Sequence, residues 1–155
     1  MIRMDKAQAD DAEPILALQK LAYQSEAELY DDFTIPPLRQ TLEEMVRDIQ
    51  TQHVLKACKG DQIVGSVRAM MKEDACAIGR LIVHPDYQRQ GLGTRLMNEI
   101  ETLFSDAGRF TLFTGHKSDG NIRLYQRLGY AQTHTTKVND RLTLVFLEKK
   151  VQPTS

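Results

Sequence analysis

The chain is 155 residues long, 41% hydrophobic and 26% charged, with a formal net charge of −1. That length suits one domain, residues 1–155, with a real hydrophobic core, and the composition excludes the disordered and membrane classes. The near-neutral balance gives no reason to expect nucleic acid or an anionic membrane as a partner.

Ile2 to Ala7 reads as a short first strand, with none of the basic, apolar and small-residue series of a secretory leader around it. No apolar run approaches the roughly 20 residues of a membrane helix, so a cytoplasmic location is expected. Asp10-Asp11 offers a helix N-cap, with Pro14 in the first turn, where its missing N–H costs little. Ile15, Leu18, Leu21 and Ala22 recur at helical spacing and predict an amphipathic helix over residues 11–29. Tyr30 to Leu38, with Pro36-Pro37, is a loop or helix break. Thr41 followed by Glu44 is a capping-box pattern, opening a helix whose apolar face is Leu42, Met45, Val46 and Ile49. Residues 1–35 hold eight acids (Asp5, Asp10, Asp11, Glu13, Glu26, Glu28, Asp31, Asp32) against three bases (Arg3, Lys6, Lys20). An acidic front and a basic remainder suit a cationic substrate meeting an anionic cofactor, and equally suit solvated helix faces.

The periodicity then changes. His53 to Cys58 and Gln62 to Met71 are strands joined by the Lys59-Gly60-Asp61 turn, an antiparallel hairpin with Gly65 inside the second strand. A third strand runs from Ala75 to Val83, and Gly79 within it suggests a bulge or a close approach. Both cysteines, Cys58 and Cys76, lie in these apolar strands without Cys-x-x-Cys spacing, which reads as two buried thiols and no disulfide. The four histidines are scattered, so no metal site is expected.

Val83 is followed by His84-Pro85, where proline ends the sheet ladder. A short polar loop leads to Gly91 and Gly93 at the start of a helix carrying Leu92, Leu96, Ile100, Leu103 and Phe104, with Ala107-Gly108 as its C-terminal cap. A helix start has unpaired N–H groups and a positive dipole end, so this glycine turn is a candidate phosphate cradle as well as an ordinary β–α connection. A P-loop is excluded, because no Gly-Lys-Ser/Thr follows the glycines. Arg109 to Thr114 is a further strand, parallel to the previous one because a long helix separates them. Ser118 or Asp119 caps a short helix ending at Leu128-Gly129-Tyr130. Residues 130–136 and 141–148 form a last hairpin around Asn139-Asp140, and Val151 to Ser155 is a tail expected to fray. The order gives one α/β domain on a mixed sheet.

Gln88-x-x-Gly91-x-Gly93, preceded by an apolar-Val-x-Pro strand ending, resembles the Gln/Arg-x-x-Gly-x-Gly/Ala loop of the GNAT superfamily of acyl-CoA-dependent N-acyltransferases. Leu124-Tyr125-x-x-Leu128-Gly129-Tyr130 resembles that family's second signature, and one helix and one strand separate the two, as in the family. The resemblance covers residues 53–148 well and the N-terminal helices only by position. It implies a single GNAT-like domain: a mixed, mostly antiparallel sheet whose central parallel pair splays into a V, flanked by about four helices. It implies acetyl-CoA as cosubstrate, with pantetheine along Leu81, Ile82 and Val83, and pyrophosphate on the loop of Gln88, Arg89, Gln90, Gly91, Leu92, Gly93 and Thr94. Arg89 and Arg95 are further candidates for charge near the phosphates. Many relatives carry an asparagine seven residues before the tyrosine; here Ser118 stands there, and Ser118 or Asn121 is expected to make that cofactor contact.

By the same resemblance Tyr125 is the general acid that protects the leaving thiolate. Relatives often carry a glutamate base in the strand that here has Gly79 and Arg80, so the base is left open among His116, His84, Glu26, Glu28 and Asp32, or a water or backbone relay. The expected function is acetyl transfer to a primary amine, of a small molecule or a peptide, by direct attack, with the carbonyl oxygen meeting a backbone N–H near Val83. The alternative is a non-catalytic acyl-CoA-binding sensor or interaction module, a monomer or homodimer in either case. The acids at 26, 28, 31 and 32 hint at a cationic acceptor such as a polyamine, aminoglycoside or lysine side chain.

Overall fold

The strand signals assemble, in the computed structural model describing residues 1–151, into one seven-stranded sheet of order β1-β2-β3-β4-β5-β7-β6. The strands are β1 (Ile2–Lys6), β2 (His53–Lys59), β3 (Gln62–Lys72), β4 (Ala75–Val83), β5 (Arg109–Gly115), β6 (Ala131–Lys137) and β7 (Thr143–Lys150). Neighbours run antiparallel except β4 and β5, the parallel pair expected across the long helix. The four expected helices are the four longest: α1 (Ala12–Ala22), α4 (Leu42–Thr51), α5 (Leu92–Leu103) and α6 (Asp119–Arg127), with short α2 (Gln24–Tyr30) and α3 (Pro36–Arg39) added. Ile15, Leu16, Met45 and Ile49 of α1 and α4 pack with Val54 in one cluster. Leu92, Leu96, Met97 and Ile100 of α5 pack with Leu55, Val67, Ile78 and Leu112 in the other, so helices cover the sheet on both faces. No helix among the described residues is long and apolar enough to cross a membrane.

Thr41 caps α4 as its spacing predicts: its Oγ1 accepts the Glu44 N–H at 3.1 Å, and Glu44 accepts the Thr41 N–H at 2.9 Å. Other local readings give way to tertiary contacts. The helix predicted over 11–29 breaks at Tyr23, without glycine or proline, and α2 ends at Asp31 in the left-handed region. Asp11 does not cap α1 with its side chain; its carboxylate accepts the Gln8 N–H at 2.8 Å and pairs with Lys56 at 2.8 Å. Pro36 and Pro37 open α3, since the first turn needs no N–H from them. In α5, Met97 is buried while Leu103 is exposed. Gly108 lies beyond the end of that helix and donates its N–H to the Asp74 carbonyl at 2.8 Å. Val151 does not fray: it packs on the core and donates to Gly108 at 3.0 Å, and the rest of the predicted tail lies outside the described residues. Cys58 and Cys76 are free and buried, and burial pushes the Cys76 thiol up to about 11.

The bulge expected in β4 is present, one residue along. Arg68 pairs with Gly79 and Ser66 with Ile82, so Arg80 and Leu81 together oppose Val67. The left-handed conformation falls on Arg80 (φ 50°), and Gly79 has open space beside it. A bulge sharpens the local twist, and here β4 leaves its parallel partner: pairing with β5 covers only Ala75–Ala77 against Arg109–Thr111.

On the far side of that gap, Tyr30 ties α2 to the end of β5. Its hydroxyl accepts the Lys117 N–H at 2.9 Å and shares a 2.8 Å hydrogen bond with Ser118 Oγ. A Cβ on Gly115 would lie 2.0 Å from the Tyr30 hydroxyl oxygen, so the ring occupies the room that glycine leaves. Gly115→Ala is expected to lose about 1–3 kcal/mol in urea denaturation, the scale of overpacking a filled core. The same change in a Tyr30→Ala background should cost nothing further, which a double-mutant cycle reads directly.

Candidate active site

The loop after β4 is shaped by two left-handed residues, Arg89 (φ 63°) and Gly91 (φ 78°), the second being the N-cap of α5. Arg95 donates the first backbone bond of the helix, to Gly91 at 3.0 Å. The N–H groups of Leu92, Gly93 and Thr94 precede that bond and stand at the positive end of a twelve-residue helix. Space beside Gly91 is open, whereas a Cβ on Gly93 would touch Leu124 at 3.4 Å and Leu81 at 3.9 Å. Gly93 is thus where α5, α6 and β4 close together.

Behind the loop lies a cleft of ≈ 580 Å³. Eleven of the twelve residues expected to hold the cofactor line it: Leu81, Ile82, Val83, Gln88, Arg89, Gly91, Leu92, Gly93, Thr94, Ser118 and Asn121. Gln90 does not; it is exposed, and its amide reaches the Asp86 carbonyl at 3.5 Å. Arg95 also lies outside, its guanidinium 3.4 Å from the Ile2 carbonyl. Beyond Ala77, β4 has no partner on its β5 side, which leaves the main chain of Leu81 to Val83 bonded to β3 alone.

A second cavity, ≈ 500 Å³, opens between the parting strands and is bounded by Ile35, Pro36 and Pro37 at α3 and by Val138, Leu142 and Leu144 of the last hairpin. Tyr125 lines this cavity and not the first. It is also part of the core, 6.0 Å edge-on from Tyr130, so its packing and cavity-lining roles coexist. Burial pushes its phenol well above the ordinary tyrosine range, helped by Tyr23 and Glu26, so the hydroxyl stays protonated at physiological pH. Its exit turn is held by Tyr130, whose hydroxyl donates to Glu101 of α5 at 2.9 Å, while Lys149 binds the other oxygen at 2.8 Å.

Four residues, Tyr23, Glu26, Leu81 and Asn121, line both cavities and form the wall between them. Glu26 accepts the Ser118 hydroxyl at 2.7 Å. Ser118 therefore stands at the N-cap position of α6 with its hydroxyl turned to Glu26 and Tyr30, not capping the helix. The other candidate bases lie elsewhere. His84 Nδ1 accepts the Asp86 N–H, His116 Nδ1 accepts the Thr143 N–H, Asp32 accepts from Thr34, and Glu28 is exposed. The acidic front thus sends one carboxylate to the cavities.

Arg68, Arg80, Tyr23 and Lys72 were not singled out by sequence, yet all line the second cavity. Tyr23 sits among the charges of Arg80, Glu26 and Arg68, and burial raises its hydroxyl. Arg80 donates to the Gln40 side-chain oxygen at 3.0 Å, which also accepts from Gln19 at 2.8 Å; the Gln40 amide in turn donates to Asp48, the partner of Arg68. The signal available in the sequence was Gln40 itself, a polar residue beside a proline pair and between two helices.

A family model described as "Acetyltransferase (GNAT) domain" matches residues 18–151. YqkA of Bacillus subtilis, described as a UPF0157 protein, is 31% identical over 151 residues, 94% of this chain but 43% of YqkA, so the chain spans less than half of that relative. The ribosomal-protein-S18-alanine N-acetyltransferase of Escherichia coli superposes with TM-score 0.81 at 14% identity, covering 100% of this chain and 97% of that one. The PaiA N-acetyltransferase of Thermoplasma acidophilum, solved with coenzyme A, gives 0.80 at 16%, covering 97% and 99%. At such identities the two structures speak for the fold.

Gln40→Ala takes one partner each from Gln19 and Asp48, which keep the Pro37 carbonyl and Arg68, and leaves the Arg80 guanidinium without its hydrogen bond. Urea denaturation should show a loss of about 1–3 kcal/mol, the cost of unpaired buried polar groups.

Proposed function

Because the chain belongs to the GNAT acetyltransferase family, we propose that it moves an acetyl group from acetyl-CoA to a primary amine by direct attack. The observation that carries this reading is the shared wall: one carboxylate, Glu26, borders both cavities, with the neutral phenol of Tyr125 on the second. Coenzyme A in the Thermoplasma relative supports the same donor here.

The residues fit that donor. The unpaired N–H groups of Leu92, Gly93 and Thr94 bind pyrophosphate, with Arg89 beside them and open space at Gly91 for its approach. The free edge of β4 at Leu81 to Val83 takes pantetheine as an added strand, and Asn121 completes the contact. Acetyl-CoA brings an activated thioester, so the protein has only to position and move protons. A free alkylamine is mostly protonated at neutral pH and needs a base. Glu26, in place of a carboxylate on β4, takes that proton, oriented by Ser118. The amine nitrogen bonds to the acetyl carbon, the carbonyl oxygen meets a backbone N–H near Val83, the C–S bond breaks, Tyr125 gives its proton to the sulfur, and the second proton that the nitrogen sheds as the amide forms restores the Tyr125 phenol. Neither Cys58 nor Cys76 lines either cavity, which supports direct attack over a cysteinyl intermediate.

Glu26→Gln and Tyr125→Phe are each expected to lower kcat by about 10²-fold or more, measured as thiol release from acetyl-CoA, with coenzyme A binding retained in calorimetry. Binding of coenzyme A with no turnover on any amine would identify an acyl-CoA-binding module instead.

A further inference from the structure

The second cavity carries a charge pattern that a plain amine or polyamine does not match. Its lining cations are Arg68, Lys72 and Arg80, against the single carboxylate of Glu26. Arg68 is paired with Asp48, and Lys72 is at the exposed rim. Arg80 is different. It is half-buried, and among the described residues no carboxylate lies within salt-bridge distance of its guanidinium; its one hydrogen bond goes to the neutral Gln40 oxygen at 3.0 Å. Buried or half-buried charges are ordinarily paired, so a guanidinium left with free donors beside a cavity has room for an anion. Arg80 also holds φ 50° as the first of the two bulge residues of β4, although Gly79, which would adopt it freely, directly precedes it. Such conformations in bulky residues persist where the surroundings impose them, and they concentrate at ligand sites. The remainder of the lining is apolar, including Met70, Ile78, Leu112, Phe113 and Leu144.

We infer that the acceptor is a primary amine carrying a carboxylate on an apolar frame, with its amine toward Glu26 and Tyr125 and its carboxylate on Arg80. The inference rests on the acetyl-transfer reading of this cavity. A guanidinium offers a carboxylate two parallel N–H donors. The carboxylate also cancels the repulsion that an ammonium group alone would meet from the three cations. Glu26 and Arg80 then act at opposite ends of one molecule, one relieving the amine of its proton and the other setting which amines enter.

The test uses the purified chain with acetyl-CoA and amines matched except for the carboxylate: phenylalanine against phenethylamine, leucine against 3-methylbutylamine, 6-aminohexanoate against hexylamine, with spermidine as a polycation. Calorimetry of each amine with the coenzyme A complex runs beside thiol release. Expected are a kcat/KM and an affinity at least about tenfold higher for the carboxylate member of one or more pairs, the scale of a charge-assisted hydrogen bond. That preference should collapse through KM in Arg80→Gln and return in part in Arg80→Lys, with coenzyme A affinity unchanged as the check on folding. Spermidine or the plain amines used as well as the carboxylates, or a preference that survives Arg80→Gln, would overturn the inference and leave acetyl transfer standing. Carboxylate-dependent binding without any turnover would do the reverse, keeping the recognition and removing the reaction.

Discussion

The parallel pairing of β4 with β5 stops after three residue pairs, and both cavities exist because of that early stop. A sheet left to itself would continue the ladder, since each main-chain N–H and C=O needs a partner. The bulge at Arg80 and Leu81 turns β4 aside, and the space is filled from the flanks: Tyr23 and Glu26 from the α1–α2 break, Asn121 and Tyr125 from α6. The unpaired strand edge is a cost to a fold without a ligand and a ready template for an amide-bearing chain. The same gap therefore makes the first cleft on one side and the second cavity on the other.

Much of the architecture was legible because its signals are local. The capping box at Thr41, the hairpin turn at Gly60, the stop at His84-Pro85 and the glycines opening α5 each act within a few residues, and all appear where the spacing put them. The α1–α2 break at Tyr23 was not legible, because no glycine or proline causes it; contacts distant in sequence, Tyr30 with Lys117 and Ser118, draw α2 across the gap. The bulge was visible as Gly79 but misassigned by one residue, since a permissive glycine shows where strain is affordable and not where the ladder needs it. The lining of the first cleft, built mainly from one loop and one strand end, includes eleven of the twelve residues that the sequence grouped together, because a loop and a strand end are local. Gln90 is the exception, on the outer side of the turn. The second cavity draws on four strands and three helices, and Arg68, Arg80 and Tyr23 carry no local mark of their neighbours.

Charge location differs from charge count. Eight acids precede residue 36, yet Glu26 alone reaches the cavities, while Asp11 is used against Lys56 and Asp32 against Thr34. The basic remainder, by contrast, sends Arg68 and Arg80 inward on adjacent strands, steadied by Gln40. A linear tally points toward a cationic ligand, and the folded arrangement points away from one. The difference lies in which side chains the sheet and the helix break turn toward the gap.

The contact between Tyr30 and Gly115 has a consequence for how this chain could diverge. The ring stands where any side chain at 115 would go, so each residue defines what the other is permitted to be. Neither can change first without loss, and a lineage that replaces one must pass through a less stable form or change both. Relatives should therefore fall into two groups at these positions, aromatic with glycine or small with larger, with mixed pairs rare. Because Tyr30 sits one helical turn from Glu26 and shares Ser118 with it, a switch from one group to the other would also re-aim the carboxylate at the wall between the cavities.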